Sequence, residues 1–434
     1  MSNGVKMKYG VCIIGGAGHV GLPLGVAFAN AGVKTALFDV NEAALKKIQA
    51  GTFPFREKDG DRELRKVLKK GTLMATAAPE VISQSEFVVL VIGTPVDKYL
   101  NPDFNGLMEV MDRYFDYFKK GQVLILRSTV FPGTSDRIQS YFRDRNKAVS
   151  VAFCPERIVE GNAFEELARF PQIVSASDGK ALVRVQHLFR KITKRKIVLA
   201  RPMEAELAKL FCNAWRYVKF AVANQFFMIA EDHGLDYHRI YEAMLDDYPR
   251  MKDLPSPGFA AGPCLLKDTM QLAAFTNNNF FLGHSAMLVN EGLPNYLLQK
   301  FKRAADKRVM SDDVWQKPVA SAASSGTLAD VMDKVRTAHS LKEKTIGILG
   351  MAFKADSDDM RDSLSYKLRK IAAVECKRVL CHDVYIQDPS FVPLDALIKK
   401  SDMIILAAPH KEYKRIDPRM YPGKTFIDIW GFWK

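Results

Sequence analysis

The segment around Cys264 combines residue types that support nucleophilic chemistry. The cysteine follows a stretch rich in glycine and proline, and Lys267 and Asp268 come soon after it, where a helical pattern begins. A helix N-terminus and a nearby cation both stabilise a thiolate, which is the nucleophilic form of cysteine. Cys264 is therefore the best nucleophile candidate among the six cysteines of the chain. Three others fit the pattern of small buried side chains: Cys12, Cys154 and Cys212.

Two further pairs of polar residues have spacings that could serve catalysis. Lys209 and Asn213 are four residues apart in a long helical pattern, so both side chains project from one helix face. A cation beside an amide could hold a developing oxyanion, although a solvated lysine beside a packed asparagine has the same spacing. Glu156 and Glu160 follow a predicted strand end, where α/β active sites collect. Ordinary surface carboxylates are the alternative for this pair.

A glycine-rich turn near the N-terminus predicts a dinucleotide site. A strand-like segment runs into GAGHVG, where Gly16, Gly18 and Gly21 form a GxGxxG motif, and a helical segment follows. The first glycine allows a tight turn, the second lets the backbone approach a pyrophosphate, and the third lets helix and strand pack closely. Asp39 ends the next strand-like segment, where an acid accepts hydrogen bonds from a ribose and repels a 2′-phosphate. The motif predicts NAD rather than NADP and leaves the reaction open.

These residues need elements that bring strand ends and helix starts together. Short β-branched runs alternate with amphipathic segments over the first 200 residues, which is typical of a parallel sheet covered by helices. A long helical pattern runs from about residue 201 to 234, and the alternation returns from Lys344. We predict an α/β protein with two Rossmann-like parallel-sheet domains joined by a central helical region with a long connecting helix. The predicted strands lie near 9–15, 35–39, 87–92, 122–127, 150–154 and 196–199, and in the segments TIGILGMAF, RVLCHDV and MIILAAP.

The same patterns predict a division of the chain into four parts. Residues 304–340 are rich in Ala, Ser, Lys and Asp, which is typical of a solvated linker or insertion. The predicted parts are an NAD-binding Rossmann domain at 1–200, a central helical region with the candidate cysteine at 201–303, the linker or insertion at 304–340, and a Rossmann-like domain at 341–434.

Composition excludes several classes of protein. The chain has 434 residues, of which 48% are hydrophobic, and its 63 basic against 49 acidic residues give a net charge of +14. Disordered and fibrous classes are excluded, whereas anionic partners of several kinds fit. The apolar runs are too short to cross a membrane and the N-terminus lacks a signal-peptide pattern, so we expect a cytoplasmic protein. The cysteines show no metal-ligand spacing, and the basic run at 184–196 has no interleaved aromatics, so we expect neither a metal site nor nucleic-acid binding.

Together, these segments resemble the UDP-glucose/GDP-mannose dehydrogenase family of nucleotide-sugar 6-dehydrogenases. The resemblance extends over nearly the whole chain and rests on seven ordered motifs: GGAGHVGLPLG near the N-terminus, GTP at 93–95, STVFPGT at 128–134, CPERIVEG at 154–161, ELAKLFCNA at 206–214, GPCLLKD at 262–268 and ILGMAFKADSDDMRDS at 348–363. It implies an NAD-binding domain, a central helical dimerisation region and a C-terminal nucleotide-sugar domain. A homodimer or higher homo-oligomer is therefore expected.

The resemblance also implies a reaction and a role for each candidate residue. The family oxidises a sugar C6 alcohol to a carboxylate in a four-electron reaction that uses two NAD+ in turn. Cys264 would attack the aldehyde stage, and the resulting thiohemiacetal would be oxidised to a thioester that water cleaves. Lys209 and Asn213 would stabilise oxyanions, and Asp268 would assist proton transfer or activate the water. The implied catalytic set is Cys264, Lys209, Asn213, Asp268, Glu156 and Thr129, the last two positioning the hydrolytic water.

The implied binding residues come from the same motifs. The cofactor-binding set is Gly16, Gly18, His19, Val20, Gly21, Asp39, Thr94, Pro95, Thr129 and Lys267. The substrate-binding set is Glu160, Lys209, Arg250, Phe259, Gly262, Phe353 and Lys354. Arg250 resembles an arginine that reaches the substrate from a partner subunit, and Phe353-Lys354 resembles a pair whose lysine meets the sugar nucleotide. Cations of this kind suit a diphosphate.

Departures from the family pattern leave the substrate open. The cysteine loop reads AAGPC where many members have GGSC or GGHC, and Asp428-Ile429-Trp430 stands where many members have Asp-x-Arg. CxxKD resembles the UDP-glucose and GDP-mannose branches, whereas residues 408–413 resemble the HxE(F/Y) segment of the UDP-N-acetylhexosamine branch. We favour a UDP-glucose-type substrate, with a UDP-N-acetylhexosamine or GDP-mannose as the alternative. A two-electron β-hydroxyacid-type dehydrogenase and a non-catalytic NAD-binding scaffold remain as competing hypotheses.

Overall fold

The computed structural model describes residues 7–94, 105–259, 262, 264–311 and 341–433. Pro95 and most of the predicted 304–340 linker lie outside these residues. The chain divides into two compact units: the first comprises Met1–Ala214 with Lys267–Phe280, and the second comprises Trp215–Leu266 with Phe281–Lys434. The four-part division inferred from sequence stays a prediction.

The described part of the first unit is built on an eight-stranded sheet with the strand order β3-β2-β1-β4-β5-β6-β7-β8. All neighbouring strands pair in parallel except β6 and β7, which are antiparallel. The strands are β1 (Tyr9–Ile14), β2 (Thr35–Phe38), β3 (Leu73–Thr76), β4 (Ser85–Leu90), β5 (Val123–Leu126), β6 (Ser150–Phe153), β7 (Gln172–Ala176) and β8 (Ile197–Leu199).

Both faces of this sheet are covered by helices, which explains why its central strands are apolar throughout. Val11 and Ile13 of β1 pack into one buried cluster, and Cys12 and Ile14 pack into another on the opposite face. Alternate side chains of a strand point to opposite faces, so a sheet buried on both sides needs continuous apolar runs. The helices are α1 (Gly21–Asn30), α2 (Glu42–Gln49), α3 (Gly60–Lys69), α4 (Glu80–Ser83), α5 (Asn105–Tyr114), α6 (Thr134–Asp144), α7 (Ala163–Arg169) and α8 (Gly179–Arg190).

The second unit contains a smaller, fully parallel sheet with the order β10-β9-β11-β12. Its strands are β9 (Thr345–Leu349), β10 (Arg378–His382), β11 (Met403–Leu406) and β12 (Thr425–Ile427). The remaining helices of the described chain are α9 (Pro202–Asp232), α10 (Tyr237–Leu245), α11 (Leu265–Phe275), α12 (Phe281–Ser311), α13 (Leu364–Glu375) and α14 (Leu394–Lys400). Leu293 and Leu297 of α12 pack in one apolar cluster with Ile346 and Ile348 of β9.

The predicted fold class is confirmed, including the parallel sheets and the 31-residue helix α9. Three strands were missed: β3, β7 and β12. None of the three contains an apolar run of four or more residues, such as the runs in β1 and β5, so the strand pattern there is weaker.

Candidate active site

The glycine turn between β1 and α1 is fixed by close backbone contacts. Gly15 has a φ of +80°, and a Cβ there would lie 1.7 Å from the carbonyl oxygen of Val91. A Cβ on Gly21 would lie 2.3 Å from the carbonyl oxygen of Gly15. Side chains at these two positions would collide with backbone, so the turn needs glycine for packing. Val20 directly precedes α1, which starts at Gly21.

The Asp39 carboxylate braces the same turn. Its Oδ2 accepts a hydrogen bond of 2.9 Å from the backbone N–H of Ala17, and its Oδ1 accepts one of 2.9 Å from Asn41. A carboxylate oxygen can accept two hydrogen bonds, so both oxygens keep capacity for a ribose hydroxyl.

His19 and Glu160, two predicted binding residues from distant motifs, meet in the first unit. His19 Nδ1 lies 3.8 Å from Glu160 Oε2, and the His19 ring stacks on Phe55 with ring centroids 3.9 Å apart. The structure thus brings the glycine turn beside the loop at 154–161, which follows β6.

A chain of polar contacts joins five predicted residues from four motifs. Asn213 Nδ2 donates to Asp268 Oδ2 at 2.5 Å, and both side chains are buried. Asp268 Oδ1 lies 2.7 Å from Lys267 Nζ, which also donates to Thr94 Oγ1 at 3.4 Å. The Thr94 hydroxyl donates in turn to the carbonyl oxygen of Thr129 at 2.6 Å. The amide and ammonium partners hold the buried carboxylate in a fixed orientation, as a proton-transfer group needs.

Glu156 is held by Arg127, a residue that the sequence analysis did not select. Arg127 Nη2 and Nε donate to Glu156 Oε2 at 2.5 and 3.0 Å, and the guanidinium is fully buried. The backbone N–H groups of Arg157 and Ile158 donate to the other oxygen of Glu156. Four N–H groups fill the acceptor sites of this carboxylate, so its predicted role in holding a water stays a prediction. The available signal was a charged residue directly after the apolar strand β5.

Glu206 is a second residue that sequence reasoning passed over. Its carboxylate, on α9, accepts hydrogen bonds from the N–H of Gly133 at 2.6 Å and from the N–H and hydroxyl of Ser135 at 2.8 and 2.6 Å. Burial raises the pKa of Glu206 despite these hydrogen bonds. The carboxylate caps α6 and ties the loop that carries Thr129 to the helix that carries Lys209. Lys209 itself is half-buried.

Cys264 lies in the second unit, is exposed, and directly precedes α11. The prediction of a helix starting after this cysteine is confirmed by the Leu265 start of α11. Burial raises the pKa of Cys154 to about 12 and that of Cys12 further still, so neither is suited to form a thiolate. The prediction that Cys212 is buried is wrong, because its position on α9 leaves it exposed.

The predicted substrate residues of the second unit differ in burial and in packing. Gly262, two residues before the cysteine, has a φ of +105°, and a Cβ there would lie 2.5 Å from Phe353 Cδ2. The Phe353 ring therefore packs directly on the cysteine loop, while Lys354 is half-buried. Phe259 is buried, whereas Arg250 is exposed in a short turn. Pro263 lies outside the described residues.

Trp430 occupies the position where many members of the family that the sequence resembles have an arginine. A Cβ on Gly258 would lie 2.3 Å from the Trp430 ring, and Trp430 Nε1 donates to the carbonyl oxygen of Leu406 at 3.1 Å. The Gly258 N–H donates to Asn224 Oδ1 at 2.8 Å. The indole thus supports the segment before the cysteine loop by packing.

Models of one known protein family match most of the chain. Three family models of the UDP-glucose/GDP-mannose dehydrogenase family match in order: the NAD binding domain at residues 9–193, the central domain at 203–291 and the UDP binding domain at 347–434. The chain belongs to the UDP-glucose/GDP-mannose dehydrogenase family. It is therefore an NAD-dependent nucleotide-sugar dehydrogenase, and the prediction of NAD is confirmed.

Individual relatives agree with this assignment. A UDP-N-acetyl-D-mannosamine dehydrogenase of Pyrococcus horikoshii is 28% identical over 414 residues, or 93% of this chain and 90% of that protein. The solved structure of a UDP-D-ManNAc dehydrogenase from that organism matches with a TM-score of 0.81 at 26% identity, covering 96% of this chain and 93% of that one. A UDP-glucose dehydrogenase structure from Pyrobaculum islandicum has a TM-score of 0.80 at 21% identity, covering 99% of each chain, and shows the fold alone.

The first unit of this dehydrogenase fits NAD. Among the described residues, a Cβ on Gly18 would meet only the Gly15 carbonyl oxygen, at 3.5 Å, so the turn leaves space where the motif receives a pyrophosphate. The start of α1 and the Asp39 carboxylate complete a cradle for a phosphate pair and a ribose. No helix in the described part of the chain has the length and apolarity needed to span a membrane.

Proposed function

We propose that the protein oxidises the C6 hydroxyl of a UDP-N-acetylhexosamine, with UDP-N-acetylmannosamine as the leading substrate, to the corresponding uronate. The observation that carries the choice of sugar is the similarity, over nine-tenths of both chains, to a UDP-N-acetyl-D-mannosamine dehydrogenase. An NDP-N-acetyl-D-galactosaminuronic acid dehydrogenase of Ralstonia nicotianae, 23% identical over 100% of this chain and 98% of that protein, also acts on an N-acetylated sugar by its name. The UDP-glucose-type preference drawn from CxxKD is less well supported than this alternative.

The residues of the chain supply nucleophilic and acid–base chemistry, and bound NAD+ supplies a hydride acceptor. In the proposed reaction, Cys264 Sγ adds to the aldehyde stage and carries the acyl group as a thioester until water cleaves it. Lys209 and the second N–H of the Asn213 amide stabilise the oxyanions, because the first N–H is committed to Asp268. Asp268 moves the proton.

We also propose that the protein acts as a homodimer or higher homo-oligomer through α9. Trp215, Val222, Phe226 and Ile229 recur at helical spacing and are 56%, 39%, 39% and 50% exposed. Exposed large apolar side chains on one helix face are typical of an interface. Arg250, exposed in its turn, remains a candidate to reach a partner's substrate.

A cytoplasmic location is proposed because all six cysteines are thiols, as in a reducing compartment.

Product stoichiometry tests the proposed reaction. NADH formed per sugar consumed would be measured with UDP-N-acetylmannosamine, UDP-N-acetylglucosamine, UDP-glucose and GDP-mannose. We expect two NADH per sugar and the highest kcat/KM for UDP-N-acetylmannosamine. A higher kcat/KM for UDP-glucose would contradict the choice of sugar, and one NADH per sugar would contradict the four-electron reaction.

A cysteine pair gives the sharper test of mechanism. Cys264→Ser should abolish steady turnover and leave the enzyme at a covalent or aldehyde-stage intermediate, detectable by mass spectrometry, because an alkoxide is a poor substitute for a thiolate here. Cys212→Ser is the matched control, since that thiol is also exposed. Turnover by Cys264→Ser at the rate of Cys212→Ser would rule out the thioester route.

A further inference from the structure

The loop that follows β9 carries Phe353 and Lys354 and is clamped at both ends. We call residues 350–356 the 350–356 loop. At its start, the backbone N–H groups of Met351 and Ala352 donate to Asp383 Oδ2 at 2.6 and 3.1 Å. At its end, the N–H of Asp356 donates to His410 Nδ1 at 2.9 Å. The two predicted substrate residues lie between these anchor points.

The two anchors are joined to each other in the interior of the second unit. His410 Nε2 lies 3.1 Å from Asp383 Oδ2, and both side chains are fully buried. Because Nδ1 accepts from Asp356, the ring proton must lie on Nε2, which donates to Asp383. Burial disfavours the charged form of Asp383, yet hydrogen bonds from His410 and from the N–H groups of Ile386 and Tyr385 lower its pKa to about 2. We call the Asp383–His410 pair the clamp. In it, an ionised carboxylate holds a histidine in one tautomer.

The clamp explains the segment at 408–413, whose HxEY pattern the proposed reaction does not use. Glu412 Oε1 accepts from the hydroxyl of Tyr385 at 2.6 Å, and the Tyr385 ring meets the His410 ring edge to face at 4.9 Å. Tyr413, fully buried, places its hydroxyl 2.9 Å from His382 Nδ1. The histidine, glutamate and tyrosine of the pattern thus brace one network beneath the 350–356 loop.

We infer that His410 and Asp383 are positioning residues for nucleotide-sugar binding, acting through the 350–356 loop on Phe353 and Lys354. This inference rests on the proposed function and on the role that the family resemblance implies for Lys354, which is to meet the nucleotide sugar. It also reaches the cysteine loop, because the Phe353 ring packs against Gly262. A loosened loop loses the fixed placement of a cation that a diphosphate needs, at a cost in affinity.

Three substitutions at His410 separate the two halves of the clamp. His410→Phe keeps the ring and removes both hydrogen bonds. His410→Asn keeps an acceptor near the place of Nδ1, and His410→Gln keeps a donor near the place of Nε2. UDP affinity would be measured by calorimetry on the full-length protein, NADH affinity by fluorescence, and KM and kcat with the best nucleotide sugar. His187→Asn and His187→Gln, at an exposed position on α8, are the matched controls.

We expect His410→Phe to weaken UDP binding by about tenfold and to raise KM for the nucleotide sugar by a similar factor. NADH affinity should be unchanged, and the Asn and Gln variants should fall between wild type and His410→Phe. In a Lys354→Met background the further effect of His410→Phe should shrink to about twofold, because the clamp acts through that lysine. If His410→Phe does not fold, His410→Asn and His410→Gln carry the same comparison.

Three results would overturn the inference. A lower melting temperature with unchanged UDP affinity would make the clamp merely structural. An undiminished tenfold effect in the Lys354→Met background would mean that His410 does not act through Lys354, while the proposed reaction would still stand. Unchanged UDP affinity in Lys354→Met alone would remove both the inference and the proposed role of Lys354.

Discussion

Arg127, a buried cation directly after β5, holds the loop that follows β6 in the first unit. The Arg127 guanidinium donates hydrogen bonds to Glu156, to the carbonyl oxygens of Cys154 and Pro155, and to Gln172. A buried ion pair adds little net stability by itself, but removing one partner leaves an uncompensated charge in the interior. The value of Arg127 is that it fixes the path of the loop that carries Glu160.

Arg127→Met should destabilise the protein by about 3–5 kcal/mol, because the Glu156 carboxylate would stay buried without its cation. Urea denaturation measures the change. Arg143→Met is the control, since that arginine pairs with Asp144 at an exposed site and should change stability by less than about 1 kcal/mol. Equally small changes in the free energy of unfolding for the two variants would show that the Arg127–Glu156 pair is not needed for stability.

The depressed pKa of Asp383 makes a specific contribution to stability against pH. Its folded pKa of about 2 lies below the ordinary value near 4, so the contribution is complete above pH 4 and is lost as pH falls toward 2. The free energy of unfolding of wild type, measured by urea denaturation, should exceed that of Asp383→Asn at pH 6, and the gap should close by about 2 kcal/mol as the pH is lowered through this window. A gap that stays constant from pH 6 to pH 3 would contradict the assignment.

At the scale of elements, the glycine turn shows which parts of a site can be predicted from sequence. The GxGxxG spacing, the strand before it and the helix after it are local, so the prediction needed no tertiary knowledge. The Asn213–Asp268 contact joins residues 55 positions apart, and the sequence could suggest both residues but not their hydrogen bond. Arg127 and Asp383 were missed for the same reason, since their partners come from other strands and loops.

Two substitutions in the turn should separate folding from cofactor binding. Gly18→Ala places its Cβ in ordinary van der Waals contact with the Gly15 carbonyl oxygen, at 3.5 Å, and should weaken NADH binding at least about tenfold with little change in melting temperature. Gly21→Ala drives a Cβ to 2.3 Å from the Gly15 carbonyl oxygen and should lower the melting temperature as well. Fluorescence titration and thermal unfolding check the pair. Tight NADH binding by Gly18→Ala would show that the pyrophosphate does not lie at this glycine.

At the scale of the whole molecule, the exposed apolar side chains on α9 lead to a prediction about assembly. Phe226→Glu or Ile229→Glu should shift the protein toward monomers in sedimentation velocity, because each places a charge within a proposed apolar interface. Val374→Glu, at a position on α13 that is 81% exposed, is the control and should leave the sedimentation coefficient unchanged. Monomeric wild-type protein at micromolar concentration would refute the proposed assembly.

The eight-stranded sheet ends at β8, a three-residue edge strand with Val198 and Leu199 exposed. An open apolar edge invites strand pairing between molecules, and short edge strands flanked by positive charge resist it. Lys194, Arg195 and Lys196 come immediately before β8, and all three are exposed. Part of the +14 net charge thus lies where it opposes pairing between the sheets of neighbouring molecules. The basic composition therefore serves solubility as well as the binding of phosphorylated ligands.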